Sequence, residues 1–419
     1  MAVTEKVRPS GRVAFTHPNF PLFVIARWFI VLALEMQSVA VGWQIYDITK
    51  KPLDLGLVGL AQFTPSFLLF LVTGHVTDRI NRRNLLFLCY LGFATCSGLL
   101  LLISIRTPHA VVPIYGVVVL SGVVRAFNGP VTRAILPQLV PEEHFTNAVA
   151  WSSSANQSAN ILGPSIGGFI YAIARGPSVV YAAAMIASLS AAIATLRIHL
   201  KLKPRPREPV NLKTVLAGIH YIWEHKVVLG SVSLDLFAVL LGGAVALLPV
   251  YAREILKTGP WGLGLLRCSP GIGAAAMAIL LAHRPLRGRC GAAMLWCVAG
   301  FGVFTILFGL SHSLVLSMLA LVLVGATDMV SVMTRAILVQ LATPDEMRGR
   351  VSAVDMIFIG ASNELGQFES GVTAAWFGAV PAVVLGGIGT LVVTVLWAWG
   401  FPELRNATHD VPEPETVRT

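Results

Sequence analysis

The octapeptide Thr132-Arg133-Ala134-Ile135-Leu136-Pro137-Gln138-Leu139 returns 202 residues later as Thr334-Arg335-Ala336-Ile337-Leu338-Val339-Gln340-Leu341, with seven of eight residues unchanged. The correspondence continues through Pro141-Glu142-Glu143 against Pro344-Asp345-Glu346, and then Ala148-Val149-Ala150 against Val351-Ser352-Ala353 after a one-residue insertion. The chain is therefore two related halves laid end to end. Because 55% of it is hydrophobic and its mean hydropathy is +0.73, each half reads as membrane-embedded. A bilayer core about 30 Å thick takes roughly 20 apolar residues per helix, and only helices or closed barrels satisfy every backbone amide there. A duplicated helical bundle with a seam suits solute movement, since rocking one half on the other exposes a central site to each side in turn.

Apolar runs between polar breaks predict an all-α polytopic membrane protein with twelve spans. They cover 21–46, 54–76, 84–105, 111–138, 146–174, 178–198, 227–255, 261–282, 290–310, 314–341, 351–378 and 380–401. This gives an N-terminal six-helix bundle (1–198), a cytoplasmic linker (199–226), a C-terminal six-helix bundle (227–402) and a cytoplasmic tail (403–419). The linker sets Lys201, Lys203, Arg205 and Arg207 among prolines, then an amphipathic surface helix from Leu212 to Trp223. The net charge of +10 does not indicate nucleic acid, because the basic residues are scattered between apolar runs. Placing both termini and the even-numbered loops inside puts 20 Lys and Arg there against six outside, which obeys the positive-inside rule. Residues 1–17 lack an apolar stretch, so the first span is expected to direct insertion. The five cysteines lie in apolar spans without a CxxC pair and read as packing residues.

Chemistry is sought among the ionisable residues that a bilayer disfavours, each costing at least ~2.5 kcal/mol near the membrane centre unless paired or wetted. Glu35, Arg125, Asp235, Asp328 and Glu364 are the candidates for substrate or proton coupling. The repeat offset carries Arg125 onto position 327, beside Asp328, so the halves place opposite charges at similar depth. A structural ion pair locking helices together is the alternative for each. Arg335 and its repeat mate Arg133 fall near the inner ends of spans 10 and 4, where snorkelling to lipid phosphate is the plain explanation. Asp355, five residues from Arg350, suits a gate or cap near the cytoplasmic surface. Gln37, Asn128, Asn156 and Asn363 are pocket candidates compatible with many amphipathic ligands.

After span 2 comes Gly74-His75-Val76-Thr77-Asp78-Arg79-Ile80-Asn81-Arg82-Arg83, an acidic-then-basic turn that can act as a charged latch at the inner surface. This pattern resembles the signature loop of the major facilitator superfamily, and with the six-plus-six arrangement the resemblance covers nearly the whole chain. The loop at 283–289 in the second half keeps basic residues but lacks the aspartate, which implies a weaker or different gate there. In span 5, Gly163-Pro164-Ser165-Ile166-Gly167-Gly168 is similar to the antiporter motif of exporter branches, with Ala159 where a further glycine is expected. Arg125 and Gly129 resemble the exporters' R-x-x-x-G pattern. The stretches 41–47, 56–63 and 363–371 look like the branch that holds the bacterial enterobactin exporter.

The resemblance implies a proton-driven exporter of the bacterial inner membrane whose cargo is a siderophore or another amphipathic molecule. It also implies a cavity lined by spans 1, 4, 7 and 10, where Glu35, Arg125, Asp235 and Asp328 fall. No G-x-x-x-x-G-K-[ST] phosphate loop occurs, so coupling is expected from an ion gradient, a proton gradient being the simplest for buried carboxylates. No cofactor, no metal and a monomer are expected. An enzyme or haem protein is disfavoured because all ten histidines lie in loops, at helix ends or in the linker. An importing symporter and a non-transporting receptor remain as alternatives.

Overall fold

The computed structural model describes residues 12–69, 72–73, 76–77, 80–199, 212–284 and 288–408. Six helices form the first bundle: α1 (Asn19–Thr49), α2 (Pro52–Leu68), α3 (Arg82–Arg106), α4 (Val111–Ile135), α5 (Glu142–Ala174) and α6 (Ser178–Leu196). A linker helix, Leu212–Glu224, precedes α7, whose regular part is Lys226–Gly242. The second bundle continues with α8 (Gly259–His283), α9 (Cys290–Leu310), α10 (Leu314–Ala342), α11 (Asp345–Phe377) and α12 (Ala379–Gly400). A short Val13–Thr16 turn precedes α1, and a short helix, Pro402–Asn406, follows α12.

The expected spans and observed helices agree to within a few residues, with instructive exceptions. The repeated acidic segments are the first turns of α5 and α11, which start at Glu142 and Asp345 after Pro141 and Pro344 in the N-cap position. Glu142 and Glu143 complement the positive end of the α5 dipole, so that segment continues the helix instead of interrupting it. Span 7 is broken. After Gly242 it passes through a tight Ala244–Leu247 turn and Leu248–Val250 into a wide turn at Tyr251–Ile255. The Ser370 hydroxyl of α11 donates to the freed Gly243 carbonyl at 3.0 Å, which meets the demand that irregular backbone at membrane depth be satisfied by protein.

Among the described residues, nine helices are long and apolar enough to cross a membrane on those grounds alone. Two of the others, α5 and α11, fall short by composition and belong to the seam, as does α2, whose described helix is 17 residues long. There α5 packs on α8, and α2 packs on α11, two pairings related by the repeat. A helix facing another helix is freed from the need to be apolar all round, and it gains from small residues that let backbones approach. A Cβ on Gly168 of α5 would lie 2.6 Å from the Pro260 carbonyl oxygen and 2.9 Å from Gly264 Cα on α8. In the other pair, a Cβ on Gly371 would sit 2.8 Å from Gly56 Cα. Both approaches lie toward the α1–α2 connection, called the outer end below after the topology expected from the basic residues. The linker helix rests on the second bundle: Tyr221 donates to the Ala342 carbonyl at 2.6 Å, and Gly218 abuts Arg350 and Val354 of α11.

Candidate functional site

Two groups of charged side chains occupy the interior, and α11 contributes to both. The first straddles the seam. Arg125 Nη1 of α4 lies 3.9 Å from Glu364 Oε1 of α11, and Gln367 Nε2 donates to Glu364 Oε2 at 3.0 Å. Arg267 of α8 donates to Ser38 Oγ of α1 at 2.5 Å, and the charges of both Glu35 and Glu364 reach it. Two guanidiniums and two carboxylates from both bundles thus share one region and offset one another. The glycines of the α5 motif make that possible. A Cβ on Gly163 would overlap the Glu35 side chain, and one on Gly167 would lie 2.8 Å from Met36 Cα, while Gly168 faces α8. The motif therefore seats α1 on one side and the opposite bundle on the other.

The second group lies within the C-terminal bundle. Arg335 of α10, 3% exposed, holds Asp235 of α7 at 2.9 Å and Asp355 of α11 at 3.2 Å through Nη1. Asp328, two turns earlier on α10, makes no ion pair among the described residues. The Ser331 and Thr334 hydroxyls on the same stretch are buried without a hydrogen-bond partner. Asp235, Asp328, Arg335, Asn363 and Gln367 line a cavity of about 320 Å³ that also meets the broken segment of α7 at Gly243. Gln367 thereby hydrogen-bonds the first group and lines the cavity that the second group borders.

These positions differ from the sequence expectations in several respects. Arg335 does not snorkel; it is the buried hub of an ion-pair triad, because α7 and α11 cover the face it presents. Asp355, expected as a gate or cap near the cytoplasmic surface, is one arm of that triad. Arg133 contacts Met356 of α11 across the seam. Gln37 accepts from Ser97 at 2.6 Å and serves packing of α1 on α3, away from the cavity. Asn156 receives Arg27 of α1, and Asn128 receives Thr132 through its carbonyl, whereas Asn363 does line the cavity. Gly74, Asp78 and Arg79 of the expected latch lie outside the described residues. Arg82 and Arg83 donate to the Ala134 and Ile198 carbonyls, each at 3.3 Å, and tie α3 to the ends of α4 and α6 inside one bundle.

An outer clasp was not foreseen. Asp47 of α1 pairs with Arg253 in the last turn of span 7, Tyr46 donates to Glu254, and the Arg253 guanidinium lies 5.6 Å from the Trp43 ring centroid. Arg253 is one of the six basic residues that the expected topology places outside. The available signal was that Asp47 and Arg253 carry opposite charges at the same end of the first helix of each half. Removing the clasp with Asp47→Asn and Glu254→Gln is expected to favour outer opening roughly fivefold, the value of ~1 kcal/mol for a partly exposed pair. Labelling of a cysteine at Ser38 by an impermeant maleimide from the outer side, in a cysteine-free background, should rise accordingly; an unchanged rate would show that the clasp holds nothing.

The sequence profile described as "Transmembrane secretion effector" matches residues 10–414. The enterobactin exporter EntS of Escherichia coli K12 is 26% identical over 403 residues, covering 95% of each chain. Among solved structures, a bacterial homologue of the human lysosomal transporter Spinster superposes with a TM-score of 0.69 at 12% identity, covering 93% of this chain and 98% of that one. A D-xylose–proton symporter does so with a TM-score of 0.70 at 14% identity, covering 94% and 100%. At such identities these two structures establish the fold alone, two six-helix bundles of the major facilitator type. Profile, relative and architecture agree that the chain belongs to the transmembrane secretion effector family of the major facilitator superfamily, a family of membrane transporters.

Proposed function

We propose that this transporter exports an amphipathic small molecule, siderophore-like or drug-like, across the bacterial inner membrane in exchange for protons. In this reading it works as a monomer with both termini in the cytoplasm. The observation that carries the proposal is the Arg125–Glu364 pair, which joins the two bundles across the seam beside a cavity containing an acid without a cation partner. A carboxylate bound to an arginine across a moving interface can exchange that partner for a proton. The bundles are then held together in one protonation state and released in the other. Asp328 lines the same cavity and is placed to carry a proton between the two sides. The clasped outer end and the glycine contacts beneath it support a resting state that loads from the inner side. Export, not import, is favoured by the α5 motif and by the relative described as an exporter.

Flux in proteoliposomes tests this. With the cytoplasmic face outward, an acidified lumen should drive substrate accumulation, whereas an importing symporter would discharge substrate under the same gradient. Asp328→Asn is expected to abolish gradient-driven flux while sparing substrate exchange, because exchange requires no net proton movement. Undiminished gradient-driven flux in that variant would remove Asp328 from the coupling path.

A further inference from the structure

We propose that Arg27 of α1 and Arg133 of α4 form a seat for an anionic group on the transported molecule, with Asn156 of α5 orienting it; this rests on the transport reading above. Three observations carry the assignment. First, the other arginines of the seam and of the cavity each face a carboxylate. Arg125 and Arg267 face Glu364 and Glu35, and Arg335 faces Asp235 and Asp355. Arg27 and Arg133 have no carboxylate within ion-pair reach among the described residues, and the two helices that carry them, α1 and α4, touch. Arg27 is part-buried within α1 and Arg133 stands exposed near the end of α4, so two like charges meet there without an acid, an arrangement that a visiting counter-charge would favour.

Second, Arg27 is held in place. Its Nε and Nη2 both donate to Asn156 Oδ1 at 3.3 Å, which fixes the guanidinium plane and leaves Nη1 for another acceptor. A planar, forked cation suits carboxylate, sulfonate or phosphate oxygens. Third, the Tyr90 hydroxyl, wholly buried beside Arg27, has no hydrogen-bond partner among the described residues. The seat also faces the moving interface. Asn156 precedes Gln157, which donates across the seam to the Gly271 carbonyl at 3.1 Å, and Arg133 abuts Met356 of the opposite bundle. An apolar body laid against Met356 with its anionic end between the two arginines matches the amphipathic character of the cargo.

Matched naphthalene probes test the assignment on purified full-length protein in dodecyl maltoside, which contains no phosphate. Tryptophan quenching is expected to show naphthalene-2-carboxylate and naphthalene-2-sulfonate binding about tenfold more tightly than the neutral 2-carboxamide. Arg27→Gln and Arg133→Gln should each erase that preference without changing amide binding, and Arg27→Lys, which retains the charge, should keep part of it. Equal affinity for anion and amide in the native protein, or a preference intact in both glutamine variants, would overturn the seat. Phosphatidylglycerol in mixed micelles provides a second arm. If it displaces the sulfonate from the arginines while soluble anions do not compete with it, the site belongs to a lipid headgroup and the cargo assignment fails. Binding requires no gradient, so loss of proton-driven flux with the anion preference preserved would refute the coupling reading and leave the seat standing.

Discussion

Arg335→Met is expected to be among the most destabilising single substitutions in the chain, at about 3–5 kcal/mol, since it strands Asp235 and Asp355 without their cation. Removing one partner of a buried pair leaves a desolvated charge, and here two carboxylates would then face each other. The expectation has an internal control. Neutralising the acids on top of it, as Arg335→Met with Asp235→Asn and Asp355→Asn, should recover most of the loss, because a buried triad replaced by well-packed neutral groups is close to neutral in stability. Thermal unfolding of the purified variants in detergent measures both. If the single variant unfolds at the native temperature, or the triple variant is no better than the single, the triad does not hold α7, α10 and α11 together.

Gly168→Leu should separate transport from folding. Any Cβ at this position meets backbone atoms of the opposite bundle, at Pro260 and Gly264, and backbone cannot rotate away as a side chain can. Overpacking of this kind costs about 1–3 kcal/mol, which moves the ratio of closed to open outer end roughly 5- to 150-fold. The clash exists only when the bundles are together at that end, so the fold of each bundle is spared. Flux should fall sharply, and a fluorophore pair spanning the outer ends of α5 and α8 should report a longer distance. Gly116→Ala, where a Cβ meets nothing within 4 Å, serves as the silent comparison. Native flux and native distance in Gly168→Leu would mean that the approach of α5 to α8 is dispensable.

Periodicity and repeat were enough to read the helices. Apolar runs ended where Pro, Gly or charge interrupted them, and the observed span of α9 coincides with the expected 290–310. Partnership was less legible. Helical spacing puts Asp328 and Arg335 on one face, but the acids that hold Arg335 come from α7 and α11, 100 residues before it and 20 after. Its position seven residues before the end of α10 suggested a surface, about 10 Å from the helix terminus. What buries it is α7 and α11, and no local pattern announces that cover. Arg267 was missed for a related reason. It sits in an apolar span with no acid at helical spacing, and its partners, Ser38 and the charge of Glu35, belong to the other half.

The interruption in α7 divides the work of that span between two rods. Its lower rod carries Asp235 and remains bolted to Arg335, while its upper rod carries Arg253 and the outer clasp; the two residues lie about 27 Å apart along a continuous helix. Had the helix been unbroken, any swing at the top would have levered directly on the buried carboxylate. In the transport cycle proposed above, the joint at Gly242–Leu247 is where such a swing would be taken up, leaving the charge store below at rest.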